Sequence, residues 1–193
     1  MKQTLRTKAK ARTTPKGASA AIQRRLLAED WWAAAFHVGL YRSKANEPGT
    51  EALLADLLAR GARVAVPARH GKDYRWAWVD ARTRWRKAAH GILEPVRAVP
   101  ADPAELRVVV VPGVAFDARG GRLGHGGGHF DRLLAQGDAL RVGLCFENRL
   151  LAEVPMEAHD IRMEVVITEK RVIYAAPAEA RLERLLGGAA PDR

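Results

Sequence analysis

The stretch Val108-Val109-Val110-Val111-Pro112-Gly113-Val114-Ala115-Phe116-Asp117 decides the reading of this chain. After a short spacer it continues as Arg122-Leu123-Gly124-His125-Gly126-Gly127-Gly128-His129-Phe130-Asp131-Arg132. The continuous apolar run Val108 to Val111 reads as a strand buried on both faces, and Phe130 to Ala135 has helical character. Between them stand four glycines in five positions, Gly124 to Gly128. Glycine adopts positive φ and lets a backbone approach a ligand closely. Such a turn, aimed at a helix N-terminus, offers free N–H groups and the positive end of the dipole to an anion. Arg122 and Arg132 add cationic charge, and Asp131 adds a carboxylate suited to a hard metal ion. The segment reads as a site for nucleotide phosphates with magnesium.

Working outward, Ala18 to Ala28 has high helix propensity, with Ile22, Leu26 and Leu27 spaced for one face. Phe36 to Tyr41 reads as a strand. Thr50 is placed to cap a helix running to about Arg60, with Leu53, Leu54, Leu57 and Leu58 on its buried side. Gly61 stops it, and Arg63 to Pro67 is the next strand. Trp76 to Val79 is another, in an irregular region holding Trp85 and the turn His90-Gly91. Arg141 to Phe146 and Glu164 to Thr168 follow as strands, and Ala178 to Leu186 as an amphipathic helix. Strands alternating with helices predict an α/β fold: one three-layer domain over 1–193, Rossmann-like, with a mostly parallel open sheet and helices on both faces. Ligands of such sheets bind beyond the carboxyl ends of the strands, where the glycine loop lies.

A chain of 193 residues suits one well-buried domain and is short for two. Hydrophobic content of 48% and charged content of 28% are ordinary for a globular protein, and there is no repeat or low-complexity linker. The single Cys145, in the apolar run Val142 to Phe146, reads as a buried small hydrophobe. No disulfide is possible within the chain, so a reducing cytoplasm is the expected location. No apolar run approaches the roughly 18 residues of a membrane span. The formal charge of +10 has two readings, nucleic-acid binding or attraction of a small polyanion. The excess begins in a basic segment over about 1–17, and no acid precedes Glu29. Such a leader also has the character of an organelle transit peptide.

The loop is not a Walker A sequence, for no Gly-x-x-x-x-Gly-Lys-Ser/Thr occurs. Nor is it the dinucleotide fingerprint, which begun at Gly124 would require glycine where His129 stands. Glycine content alone is compatible with a flexible surface turn. The full string, from Pro112 to Asp117 and from Arg122 to Arg132, resembles the signature of 5-formyltetrahydrofolate cyclo-ligases, also called 5,10-methenyltetrahydrofolate synthetases. Further pieces follow in that family's order. Lys2-x-x-Leu5-Arg6 resembles its N-terminal nucleotide-binding element, and Tyr41-x-Ser43 with Glu47-x-x-Thr50 its folate-side segment. Gly91-Ile92-Leu93-Glu94-Pro95, and His159-Asp160 leading to Val165-Val166-Ile167-Thr168-Glu169, resemble its later elements.

The resemblance implies a ligase of one-carbon metabolism that uses ATP as co-substrate and Mg²⁺ to convert 5-formyltetrahydrofolate to 5,10-methenyltetrahydrofolate, ADP and phosphate. A formamide is a poor electrophile, and oxide is a poor leaving group. Phosphorylating the formyl oxygen answers both difficulties. Such chemistry needs positioning and charge neutralisation rather than an enzyme nucleophile. By resemblance, ATP would be held by Lys2, Arg6, Arg122, Leu123, Gly124, His125, Gly126, Gly127, Gly128, His129 and Phe130. The folate would meet Arg42, Glu47 and the loop from His125 through Gly126, Gly127 and Gly128 to His129, and Mg²⁺ would bind Asp131 and Asp160. Arg122, His129 and Arg132 are the expected catalytic groups.

Taken singly, these residues have plainer readings. Lys2 and Arg6 suit a disordered basic tail, Asp131 a helix-start charge, Asp160 a loop acid, and Glu47 a solvated acid before a helix. The five tryptophans read first as core, with Trp76 and Trp78 on one face of a strand. Five positions depart from the family pattern. His129-Phe130 replaces paired tyrosines, Gly127 stands where a basic residue is frequent, Arg42 where an apolar one is usual, and Glu164 where aspartate is common. Two alternatives therefore stay open: a nucleotide-binding relative without cyclo-ligase activity, and an RNA-binding protein, although no RNA-recognition signature is present. The expected partners are folate and ATP, with no membrane or nucleic acid, and a monomer is expected.

Overall fold

The computed structural model describes residues 1–88, 91–175 and 178–187; His90 of the expected turn lies outside the described residues. The basic leader forms a helix, α1 (Lys2–Lys10). Next come α2 (Ala18–Leu27), α3 (Asp30–Ala33), β1 (His37–Leu40) and α4 (Glu51–Ala59). A hairpin of β2 (Arg63–His70) and β3 (Asp73–Val79) follows, then the short strands β4 (Trp85–Lys87), β5 (Leu93–Pro95) and β6 (Val99–Pro100). The valine run is β7 (Val108–Val111). Beyond it lie β8 (Ala115–Asp117), β9 (Arg122–Leu123), α5 (His129–Leu134) and β10 (Leu140–Leu144). The chain continues through β11 (Leu150–Leu151), β12 (Val165–Ile167), β13 (Val172–Tyr174) and α6 (Glu179–Gly187).

The main sheet has eight strands in the order β13-β12-β10-β7-β1-β2-β3-β6. Its centre, from β12 to β2, is parallel, and antiparallel strands close both edges. Val108 of β7 stands opposite both Val38 of β1 and Leu140 of β10. Alternation then sorts side chains between the two faces. On one face Val38, Leu40, Val64, Val66, Val108 and Val110 pack with Ile22 and Leu26 of α2 and with Leu53 and Leu57 of α4. Each helix thus buries a pair spaced four apart, and each such side chain contributes about 1.5–3 kcal/mol. On the other face Val109, Val111 and Val166 meet Leu133 and Leu134 of α5, Trp76 and Phe116. The valine run is buried on both faces as its composition predicts.

Two local details differ from expectation. Thr50 is the N-cap of α4, its carbonyl accepting the Leu54 N–H at 3.0 Å, but its side chain makes no capping bond: the hydroxyl donates to the Tyr41 carbonyl at 2.8 Å, pinning the end of β1 to the start of α4. Between the valine strand and the glycine loop stands a hairpin of β8 and β9, which no strand expected from the sequence covers. Buried Asp117 builds its turn. Oδ1 accepts from the N–H groups of Arg119 and Gly121, and Oδ2 from that of Val154, all at 2.7–2.8 Å. The neighbouring Phe116 ring is wedged against two glycines. A Cβ at Gly113 or Gly143 would lie 2.6 or 2.5 Å from it, closer than any contact allows.

Candidate active site

The chain runs from β1 outward through β2 and β3, then returns to place β7 on the other side of β1. The gap between the carboxyl ends of β1 and β7 is therefore a switch point, where open α/β sheets receive ligands. A cavity of about 850 Å³ occupies it, lined by Tyr41 and Arg42 after β1 and by Pro112 after β7. The β2–β3 hairpin overreaches the parallel strands, so Arg69, Lys72 and Tyr74 form one rim.

α1 forms the opposite wall. Leu5 and Ala9 pack on Val114, Ala115 and Leu123 of the hairpin segment. That docking turns Lys2, Arg6 and Lys10, spaced four apart on one helical face, into the cavity. The disordered-tail reading fails: Arg6 Nε donates to the Gly124 carbonyl at 2.9 Å, and Lys2 Nζ lies 2.6 Å from Asp160 and 3.0 Å from Glu157. Burial alone would lower the Lys2 pKa, but its bonds to the two acids outweigh this and raise it. Burial likewise opposes ionisation of Asp160, yet Lys2 and the Glu157 N–H hold its carboxyl below the usual range. Asn148 and Arg149 fasten the chain behind α1. Buried Arg149 donates to the carbonyls of Asn46, at 2.6 Å, and Arg12, at 3.1 Å, while stacking on Phe146.

The glycine loop lies across from α1. Gly126 and Gly128 adopt φ of 107° and 63°, and none of the backbone N–H groups from Gly124 to Gly128 donates to an acceptor among the described residues. Successive unused N–H groups in such a turn form an anion-binding concavity. Arg122, 8% exposed, is held from Pro112 and pairs with Asp131 Oδ1 at 2.6 Å. Asp131 thus has a specific partner beyond the helix dipole. Glu47 is not a solvated acid. It is buried, with Oε1 3.1 Å from His125 Nε2 and Oε2 accepting the Lys44 N–H at 3.0 Å.

His129 Nδ1 takes a hydrogen bond from Arg132 at 2.9 Å, which places the ring proton on Nε2. Its ring meets Tyr74 edge-on at 5.1 Å between centroids. A Cβ on residue 127 would lie 2.8 Å from His129 Nε2, so the His129 edge fills the space beside Gly127.

Every expected site residue lines this cavity except Arg132, whose guanidinium turns outward to Asp73, at 2.8 Å, and to the Gly127 carbonyl. Arg132 therefore acts on His129 rather than within the cavity. Reading the sequence missed Lys10, Tyr74, Lys72 and Glu157. Lys10 was recoverable from its spacing with Lys2 and Arg6; the others reach the site only through tertiary packing. Asp131 Oδ2 and Asp160 Oδ1 take no hydrogen bond among the described residues. These hard donors on one cavity fit a magnesium ion. Glu157, His159 and Asp160 also bring ligand atoms within 4.8 Å of one another. Cys145 takes no part: burial pushes its thiol up to about 12.

A parallel α/β sheet with a basic helix and a donor-rich glycine loop facing each other at its switch point is an arrangement suited to an anionic ligand. The chain belongs to the 5-formyltetrahydrofolate cyclo-ligase family, whose model matches residues 1–169. The cyclo-ligase of Mycolicibacterium smegmatis is 37% identical over 142 residues, 67% of this chain and 72% of that one. The mouse cyclo-ligase is 23% identical over 163 residues, 77% and 80% of the two chains. The structure of Aquifex aeolicus 5,10-methenyltetrahydrofolate synthetase superposes with a TM-score of 0.81 at 26% identity, covering 100% of this chain and 96% of that one. The Mycoplasma pneumoniae synthetase, at 17% identity and a TM-score of 0.65, shares the fold over 87% and 96% of the two chains. Among the described residues no helix is long and apolar enough to cross a membrane.

Proposed function

We propose that this enzyme couples ATP hydrolysis, with Mg²⁺, to closure of 5-formyltetrahydrofolate into 5,10-methenyltetrahydrofolate. The observation that carries the reading is the convergence on one cavity of the α1 cations, the unused N–H groups of the glycine loop, and two carboxylates each with a free oxygen. A triphosphate fits between Lys2, Arg6 and the loop. Its charge is met by cations and aligned N–H groups, as phosphoryl transfer requires. Asp131 and Asp160 would hold Mg²⁺, which when bound screens phosphate charge. Arg122 holds Asp131 in place and faces the same phosphates.

On the folate side, buried Glu47 supplies a carboxylate that accepts pterin N–H groups, steadied by His125. His129 presents its Nε2–H, fixed by Arg132, to the oxygen that is to be phosphorylated. Transfer of the γ-phosphoryl group to the formyl oxygen breaks the terminal P–O bond of ATP and leaves an N5-iminium phosphate. N10 then attacks the activated carbon, phosphate departs with the C–O electrons, and N10 loses its proton. No residue of the protein becomes covalently bonded.

The test mixes purified protein with ATP, Mg²⁺ and 5-formyltetrahydrofolate and follows the absorbance of the methenyl product. Product that requires both ATP and Mg²⁺ is expected. Tight ATP binding without product would favour a nucleotide-binding relative, the reading suggested by His129, Phe130 and Arg42.

A further inference from the structure

We propose that Arg42 is a specificity-determining residue that binds a carboxylate at the glutamyl end of the folate substrate, using a guanidinium placed over Trp85. This rests on the folate reading of the cavity. Arg42 leaves the carboxyl end of β1 and lines the cavity, with its Cζ 4.8 Å from the centre of the Trp85 ring. The cation–π contact positions the guanidinium over the ring without using its N–H groups, which stay available to an anion. No donor of Arg42 reaches a hydrogen-bond acceptor among the described residues, and its Nε is buried without a partner. The terminal N–H groups of the guanidinium, which lines the cavity, are therefore the donors free to take an incoming acceptor.

The other charges of the cavity narrow the choice of that group. Every acid lining it is already engaged: Glu47 by His125, Asp131 by Arg122, and Asp160 and Glu157 by Lys2. Glu51, the acid whose charge Arg42 feels, spends its Oε1 on the Ser43 hydroxyl at 2.7 Å. The phosphate-directed cations, Lys2, Arg6 and Lys10, stand on α1, whereas Arg42 belongs to the loop that carries Glu47. An anion at Arg42 is therefore assigned to the folate. A folate carries its carboxylates on the glutamate, and its pterin has none. A guanidinium matches a carboxylate with two parallel hydrogen bonds.

The experiment compares 5-formyltetrahydrofolate with 5-formyltetrahydropteroamide, in which a primary carboxamide replaces the glutamyl amide and no carboxylate remains, in the wild type, Arg42→Leu and Arg42→Lys. Circular dichroism and melting temperature check that each variant is folded. In the wild type the glutamylated substrate should have the lower KM. Arg42→Leu should raise its KM about tenfold, the scale of one charge-assisted contact, and collapse the ratio of the two KM values toward one. Arg42→Lys should recover part of the ratio. An unchanged ratio, or an equal rise for both substrates, would overturn the proposal, as would a rise confined to the KM for ATP. If the wild type turns over neither substrate, the cyclo-ligase reading fails separately. Calorimetric affinities for the same two ligands then decide the role of Arg42 by the same ratio.

Discussion

At the scale of single residues, the site is built from opposite charges that already hold one another. Lys2 with Asp160, Arg122 with Asp131 and His125 with Glu47 each join a group expected to meet a ligand to a second such group. Each pair orients its members while leaving one acid oxygen or one cation edge for the ligand. Asp131→Asn separates the two duties of that residue. The amide retains a hydrogen bond to Arg122 but loses the charge that a metal requires. The Mg²⁺ concentration for half-maximal turnover should rise tenfold or more, about 1.4 kcal/mol of lost affinity. The melting temperature should fall modestly, because Arg122, 8% exposed, keeps an acceptor but no counter-charge. Turnover with an unaltered Mg²⁺ dependence would remove Asp131 from the metal site.

At the scale of elements, α1 and the loop before α4 are separate in sequence yet share one fastener. Arg149 binds the carbonyls of Arg12 and Asn46 together. Arg149→Leu orphans both and should destabilise the fold by on the order of 1–3 kcal/mol. Proteolytic cuts should appear within residues 1–17, and the KM values for ATP and folate should rise together, because both walls loosen. A variant that is cut no faster than the wild type would show that Leu5, Ala9 and the bonds of Lys2 and Arg6 hold α1 without Arg149. Little of this was legible beforehand. Val108 to Val111, α2 and α4 announce themselves because local apolar spacing matches their burial. The glycine loop and its flanking Arg122 and Asp131 were readable because the chemistry sits in one short string. The β8–β9 hairpin was not, since its turn depends on Asp117 reaching Val154, far along the chain. Nor was the burial of Glu47, which follows from a histidine 78 positions away.

At the scale of the whole molecule, the charge of +10 is partly explained by a cavity whose acids are paired and whose spare cations face inward. The docking of α1 ties this electrostatic arrangement to pH. Asp160 titrates below its ordinary value in the folded protein, so its contribution holds above that value and is lost as pH falls through the folded one. Lys2 titrates above its ordinary value, so its contribution is complete below that value and is lost as pH rises through the folded one. Amide exchange in α1 should therefore accelerate at both the acid and the alkaline extreme relative to α2 and α4, which no acid–base pair joins to another element among the described residues. Equal pH profiles for the three helices would contradict this.

The Phe116 ring, seated where Gly113 and Gly143 have no side chains, has an evolutionary consequence. These three sites form a single unit of inheritance. Any lineage that gains a methyl group at one of the glycines must first shrink the aromatic, and any that keeps the aromatic must keep both vacancies.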